Sequence, residues 1–368
     1  MELIIIAAID PNIAKPGGIQ NYVMNLINFI SNSINVTLIG ISKIEKSSEY
    51  ANFIPVVKKT NVSSYIFLLN LLLKTPFLKI SKSSIIHIQR PETMLPFVLF
   101  FRENPKVCTL HGLANKGIFH KKGKLVGTIY LVIERYTLKH TDAVIAVSDE
   151  IKDEYLQKYP WLKDKFKVIP VGFDEKLFRP LDKNKMRQKY GFSINDKIIL
   201  YVGRFEKEKR LDTLLTAFKE IKNEIINAKL VLVGDGREKH NLENLIKKLD
   251  IKDVVILNTI EHVRIPEIMN CADVFALTSM YEGMPTVVLE ALACGIPVVS
   301  TDVGDVYKVV NNKTGYIIRS NENYDEYAKL LIKCLEQGEN MKEDCVKIVQ
   351  SYYLEKIAEK TMAVYKEC

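Results

Sequence analysis

The sequence has no pair of cysteines spaced C-x-x-C, although it has six cysteines in all. That absence removes the usual zinc-knuckle and thioredoxin-like redox patterns. Several of the six lie inside apolar runs, so reduced, mostly buried thiols in a cytoplasmic protein are expected. No apolar stretch reaches the roughly 20 residues of a membrane-spanning helix; the longest runs from Tyr65 to Leu73. The opening MELIIIAAI lacks a basic lead and a small-residue cleavage site, and reads as a strand rather than a signal peptide. A dense Lys/Arg tail, a short repeat and a low-complexity tract are all missing, so no nucleic-acid partner is expected. Lys+Arg outnumber Asp+Glu by 52 to 44, a net charge of +8. That modest excess suits an anionic small ligand or an acidic membrane surface.

What is present is a chain able to build a core. Over 368 residues, 47% are hydrophobic and 26% charged, which excludes a disordered protein and allows two domains or one large one. Short β-rich runs alternate with stretches of helical period. Strands are predicted at 3–9, 36–41, 84–89, 106–111, 143–148 and 167–170, with helices at 19–30, 63–73 and 125–139. After Phe178-Arg-Pro-Leu-Asp182 the pattern restarts. Strands at 198–202, 229–233, 254–257, 274–277 and 297–300 then alternate with helices at 211–225, 238–249, 264–270, 286–293 and 324–336, and a last helix covers 351–366. Such alternation predicts an α/β chain of two doubly wound parallel-sheet domains. They are placed at 1–175 and 176–350, with 351–368 as a terminal helix. In such sheets ligands sit beyond the carboxyl ends of strands.

The most informative stretch runs from Ser279 to Val299. A loop with Glu282 and Gly283 follows a strand, and Pro285 stands where a helix begins, the first helical position that proline favours. A helix N-terminus behind a glycine-containing loop offers free N–H groups and a positive dipole end to phosphate. Glu290 lies one turn beyond Thr286 on roughly the same face, where a carboxylate can accept two hydrogen bonds from a cis-diol such as a ribose. Glu282, outside the helix, could meet a sugar hydroxyl. The plain alternative is a capping glutamate and a solvated one. In Gly203-Arg204 through Lys209, two cations follow a strand on one loop and can neutralise a diphosphate; alone, the loop reads as well as a solvated basic turn. Pro16-Gly17-Gly18 and His111-Gly112 also follow strands, and a tight turn and a structural histidine are equally open readings. Gly234-Asp-Gly236 reads as an ordinary strand–helix turn, because Lys239 stands where a dinucleotide fingerprint has its third glycine.

Together these segments resemble the retaining glycosyltransferases of family 4. Glu282 to Glu290 is similar to the family's E-x7-E element, with the trailing Glu-Ala-Leu-Ala-Cys-Gly-Ile-Pro-Val-Val. Gly203-Arg204 through Lys209 resembles its diphosphate clamp, Gly17-Gly18 its N-terminal glycine-rich loop, and Ala146-Val-Ser148 and Ile169-Pro-Val-Gly-Phe-Asp174 its interdomain landmarks. The resemblance implies a GT-B fold: two Rossmann-like domains facing a cleft, with the C-terminal helix crossing back to the first. It implies transfer of a hexose from GDP-mannose or a UDP-hexose, with retention, to a sugar, lipid-linked or oligosaccharide acceptor in carbohydrate biosynthesis. His111, Arg204, Lys209 and Glu282 would then be catalytic. Gly18, Gly203, Arg204, Lys209, Glu282, Gly283, Met284, Thr286, Val287 and Glu290 would bind the donor. Arg204, Lys209 and the helix dipole would take the part a divalent metal plays elsewhere, so no metal and no cofactor are expected.

Four positions depart from the family pattern: Val171 for Asn, Arg210 for Gly, Thr278 for Pro and Lys308 for Glu. Lys116, His120, Lys121, Lys122 and Lys124 form a basic cluster, and Tyr65–Ile80 is strongly apolar with Lys74 and Lys79 interspersed. Peripheral docking on the inner face of an anionic cytoplasmic membrane is one reading; a buried helix and a solvated loop are the other. An epimerase of the same fold, a nicotinamide-dependent oxidoreductase and a non-catalytic sugar-nucleotide-binding protein remain the rivals.

Overall fold

The computed structural model describes residues 2–12, 18–43, 52–59, 62–112, 123–319 and 323–368. The chain divides into two compact units, Met1–Val171 with Leu354–Cys368, and Gly172–Tyr353. The division thus falls at Val171/Gly172 rather than 175, and the segment that returns to the first unit starts at Leu354 rather than 351.

The first unit is built on β1 (Glu2–Ile6), β2 (Asn35–Ile41), β3 (Asn52–Val57), β4 (Ile85–Ile88), β5 (Lys106–Leu110), β6 (Ala143–Ala146) and β7 (Phe166–Val168). Among the described residues they form one seven-stranded sheet in the order β3-β2-β1-β4-β5-β6-β7, parallel throughout. Every residue of β4, β5 and β6 is buried, as a parallel sheet covered on both faces requires. The covering helices are α1 (Gly18–Ile30), α2 (Ser64–Lys74), α3 (Leu95–Phe100), α4 (Lys124–Lys139) and α5 (Asp149–Lys158). Helix α1 buries Tyr22, Val23, Leu26, Ile27 and Ile30, one stripe of helical period, and packs against the terminal helix Leu354–Glu367. Among the described residues no helix is long and apolar enough to cross a membrane.

The second unit repeats the plan with β8 (Lys197–Val202), β9 (Ala228–Val233), β10 (Val254–Leu257), β11 (Val274–Leu277), β12 (Val298–Thr301) and β13 (Gly315–Ile318). Their order is β10-β9-β8-β11-β12-β13, again parallel. Its helices are α6 (Lys183–Tyr190), α7 (Leu211–Glu224), α8 (Lys239–Leu249), α9 (Ile265–Met269), α10 (Thr286–Ala293), α11 (Tyr324–Gln337) and α12 (Lys342–Ile348). Strand order reverses between β8 and β11, so the loops leaving those two strands emerge side by side at the carboxyl edge, where open α/β sheets bind ligands.

Several elements were not expected from the sequence, each for a local reason. Strand β3 contains Pro55, which argues against a central strand; it is tolerated because β3 lies at the sheet edge. Strand β13 has only four residues and begins at Gly315 (φ +143°), where a Cβ would lie 1.8 Å from the Val298 carbonyl oxygen. Helix α6 has no apolar stripe and instead buries Arg187, which bonds Asp273 at 2.7 Å. Its ends carry readable capping signals, Asp182 accepting from Lys185 N–H and left-handed Gly191 after the last turn. Helix α5 is likewise marked by Ser148, which caps Ile151 N–H at 3.2 Å.

Candidate functional site

Two loops of the second unit meet where the strand order reverses. The loop after β8 carries Gly203, Arg204 and Lys209, and the loop after β11 carries Glu282 and Gly283. The Lys209 ammonium bonds Glu282 Oε1, and Ser279 Oγ donates to the same oxygen at 2.8 Å. Thr278 Oγ1 donates to the Lys209 carbonyl at 2.7 Å, and Met280 N–H to the Glu208 carbonyl at 2.8 Å. The two loops are therefore one cross-linked structure. At Thr278, the departure from proline supplies the hydroxyl that ties them. Both charged side chains are mostly buried, at 14% exposed for Lys209 and 19% for Glu282.

Glycines let neighbouring loops support this pair. A Cβ on Gly304 (φ +48°) would lie 1.7 Å from the Gly283 carbonyl oxygen, and Asp305 N–H donates to that oxygen at 3.0 Å. A Cβ on Gly234 (φ +146°) would lie 1.9 Å from the Gly203 carbonyl oxygen. Phe205 N–H donates to the Asp235 carbonyl at 2.9 Å. Gly234-Asp-Gly236 is thus more than the ordinary turn expected: it permits backbone-to-backbone packing under the cationic loop. At Arg210, where the family favours glycine, φ is +49°, the left-handed region in which a side chain is costly. Lys308 forms an ion pair with Asp305 at 3.0 Å, and Val171 is the buried last residue of the first unit.

Helix α10 starts directly behind this loop. Pro285 is its N-cap, with φ −70° and ψ 112°, and Thr286 is the first helical residue; the expectation of proline inside the first turn is corrected by one position. No side chain caps the helix. The half-buried Thr286 and Val287 therefore stand at an N-terminus with the dipole and N–H character that favours an anion. Met284 is buried beside them.

One turn on, Glu290 is 6% exposed. His262 Nε2 lies 3.3 Å from its Oε1, and the imidazole packs on Phe178 with ring centroids 5.3 Å apart. Burial alone would depress the imidazole, but the hydrogen bond and charge of Glu290, with Asp174 nearby, hold its pKa above the ordinary value. His262 was missed by sequence reasoning; it sits in a short turn before α9 with no motif around it.

The remaining expected residues lie elsewhere. Arg204 is on the same loop as Lys209, but its side chain is 58% exposed and its ion-pair partner is Glu208, at 3.9 Å. His111 follows β5 in the first unit, where its Nε2 meets Gln89 Oε1 at 2.8 Å. Gly18 is the exposed first residue of α1, with open space where a Cβ would be. Gly17, Lys116, His120, Lys121 and Lys122 fall outside the described residues. Among the described residues no three His, Cys, Asp or Glu side chains are grouped to hold a metal ion.

Known proteins carry the same patterns. The family Glycosyltransferase Family 4 matches residues 16–177, and Glycosyl transferases group 1 matches residues 182–351. The chain is 31% identical to N-acetyl-alpha-D-glucosaminyl L-malate synthase of Bacillus anthracis over 236 residues, 63% of this chain and 61% of that protein. It is 27% identical to UDP-Gal:alpha-D-GlcNAc-diphosphoundecaprenol alpha-1,3-galactosyltransferase of Escherichia coli over 324 residues, 86% of this chain and 83% of that protein. The match to the Bacillus protein thus spans less than two thirds of its length. Among solved structures, sucrose-phosphate synthase from Thermosynechococcus elongatus superposes with a TM-score of 0.84 at 20% identity, over 100% of this chain and 98% of that one, which establishes a shared fold.

Proposed function

The chain belongs to glycosyltransferase family 4, with the GT-B fold, and we propose that it moves a hexose from a nucleoside diphosphate sugar to an acceptor with retention of anomeric configuration. The observation that carries this reading is the convergence of Lys209, Glu282 and the uncapped N-terminus of α10 at the strand-order reversal of the second unit. A diphosphate there would meet the Lys209 ammonium, the Arg204 guanidinium and the N–H groups of Thr286 and Val287. The buried Glu290 carboxylate would accept from the ribose hydroxyls, and Glu282, freed from Lys209 as phosphate competes for the ammonium, would contact the sugar.

As the glycosidic bond to the leaving diphosphate breaks, negative charge grows on its β-phosphate. Fixed cations and a helix N-terminus stabilise charge that develops in the transition state. This supplies the reason to propose a reaction that needs no divalent metal. The roles of Gly18 and His111 toward the sugar rest on the family resemblance. The donor is proposed to be GDP-mannose or a UDP-hexose. The acceptor is proposed to be a sugar on a lipid carrier, a class that the name of the Escherichia coli relative contains.

We also propose that the first unit docks peripherally on the cytoplasmic face of an anionic membrane. Helix α2 and the turn after it expose Tyr65, Leu69, Leu73 and Phe77, the last at 84%. Helix α4 exposes Leu125, Ile129, Val132 and Tyr136. Helix α3 packs against both and adds Leu99 and Phe100. Exposed Lys74, Lys79, Lys124 and Lys139 accompany these apolar side chains, the composition an interfacial surface needs.

Calorimetric titration with UDP, GDP, ADP and NAD in excess EDTA tests the donor reading. One nucleoside diphosphate should bind clearly tighter than the rest. Binding of NAD alone, or loss of all diphosphate binding until a metal is added, refutes it.

A further inference from the structure

Four polar side chains form a ladder on one face of the first sheet. His87 lies in β4 and Gln89 just beyond its end; Thr109 lies in β5 and His111 just beyond its end. Alternate residues of a strand share a face, and the parallel register of β4 with β5, His87 opposite Val107, puts the two pairs on the same face, staggered by two residues so that Gln89 comes level with Thr109. His87 and Thr109 are fully buried and Gln89 is 2% exposed. His111 Nε2 meets Gln89 Oε1 at 2.8 Å. Gln89 Nε2 lies 3.4 Å from His87 Nε2, which Thr109 Oγ1 approaches at 2.7 Å. His87 Nδ1 lies 2.6 Å from the hydroxyl of Tyr365 on the terminal helix. The edge of Tyr22, from α1, closes against the His111 ring at 4.8 Å between centroids.

Proton accounting turns this ladder into a statement about His111. An amide oxygen only accepts and an amide nitrogen only donates. With Oε1 toward His111, Gln89 requires a proton on His111 Nε2. With Nε2 toward His87, it requires His87 Nε2 to be bare, so His87 carries its proton on Nδ1 and donates it to Tyr365. The reversed amide would demand the opposite tautomer on both rings, so the two arrangements have opposite readouts. Burial, with Arg90 beside it, lowers the His111 pKa to about 3. Burial, with His111 beside it, does the same for His87. Both rings are therefore neutral near neutral pH, and the tautomer is the variable the protein controls.

We infer that Gln89 is the positioning residue for His111: it clamps the ring as the Nε2–H tautomer and leaves Nδ1 as an acceptor for a hydroxyl of the transferred sugar, while the terminal helix anchors the clamp through Tyr365 and His87. This rests on the proposed contact of His111 with the sugar. The hydroxyl, not the ring, then supplies the proton of that contact, and the site selects a sugar with a hydroxyl at the matching carbon.

The test is long-range 1H–15N spectroscopy of the full chain labelled at histidine, with His111→Asn assigning the resonance. Wild-type His111 should show a protonated, pyrrole-type Nε2 and a pyridine-type Nδ1 with no titration near neutral pH. The opposite tautomer overturns the inference without any variant having to fold. Gln89→Leu should release the ring to a mixed or reversed tautomer. Gln89→Glu, whose carboxylate only accepts, should keep Nε2–H and raise the pKa of His111. An unchanged tautomer in folded Gln89→Leu also overturns it. Turnover is read as hydrolysis of UDP-glucose or GDP-mannose. Gln89→Leu should lower kcat about tenfold with little change in KM, as loss of an oriented hydrogen bond does. Wild-type turnover in that variant, with His111→Ala inactive, refutes the positioning role. Wild-type turnover in His111→Ala, with the tautomer as stated, refutes the sugar contact and leaves the clamp standing.

Discussion

Lys209 and Glu282 share one carboxylate oxygen with Ser279: the ammonium and the Ser279 hydroxyl both bond Glu282 Oε1. The pair spans the loops after β8 and β11, so it holds together the two segments that the strand order makes neighbours. Under the proposed function its two halves would respond differently to a diphosphate: Lys209 would gain a second anionic partner, and Glu282 would lose its share of the cation and become available to a sugar hydroxyl.

Lys209→Met should therefore act on both stability and chemistry. It leaves a mostly buried carboxylate without its ammonium, at a cost of about 2 kcal/mol for a charged hydrogen bond. If Lys209 holds the leaving group as proposed, the variant also removes a cation from it, which should lower kcat about 10²–10³-fold. Denaturant unfolding and steady-state rates with the diphosphate sugar that binds would read the two effects separately. A kcat within a few-fold of wild type would rule out the leaving-group role.

Glu290→Ala should raise the donor KM about tenfold or more while kcat changes little, because a ribose contact made equally in ground and transition states is uniform binding. Donor kinetics that match wild type would remove Glu290 from the ribose site. Acceptor KM should be unaffected.

His262 should make stability depend on pH. Its folded pKa is raised above its ordinary value of 6.5, with burial opposed by the Glu290 hydrogen bond, the Glu290 charge and Asp174. A raised folded pKa means that the stabilisation is fully present below the ordinary value and is lost as pH rises through the folded value. Wild type should exceed His262→Asn in stability at about pH 5.5, and the gap should close by about pH 9. A gap that is constant over that range would show that the pair contributes no proton-linked stability.

Gly304→Ala should damage the proposed donor site from outside it. The left-handed φ costs about 1–2 kcal/mol for a side chain. The new Cβ would lie 1.7 Å from the Gly283 carbonyl oxygen, so backbone must move, and Glu282 with it. Reduced unfolding stability together with weakened diphosphate binding is expected. Thermal denaturation followed by calorimetric titration would measure both. Unchanged binding in a folded variant would separate Gly304 from the support of that loop.

Leu69→Glu with Ile129→Glu should abolish flotation with liposomes containing anionic lipid and leave diphosphate binding intact, since both side chains are exposed. Wild type should float with anionic vesicles and much less with neutral ones. No association of wild type with either kind would end the membrane proposal.

Much of this was legible in the residues. Alternating apolar runs of strand and helix length imposed two parallel sheets, because period and burial are local properties of the chain. Glu282, Glu290 and Thr286 were readable as a loop and a helix face for the same reason. Helices α5 and α6 could have been found from their caps, Ser148 and Asp182, but not from apolar period, because α6 buries an arginine instead of a stripe.

The tertiary structure alone decided which loops are neighbours. Strand order is a non-local outcome of packing, so no spacing in the sequence announces that the loops after β8 and β11 adjoin. Nor does any spacing announce that Gly234 and Gly304 clear the way for them. It also decided that His262 would meet Glu290, that Gln89 would meet His111, and that a helix at the far end of the chain would reach His87 through Tyr365. Those contacts join residues far apart in sequence, and only the closed fold brings their side chains within bonding distance. Local periodicity and residue chemistry set the type of each element and the groups it carries; where those groups converge was settled by the burial of two sheets, each covered by its helices.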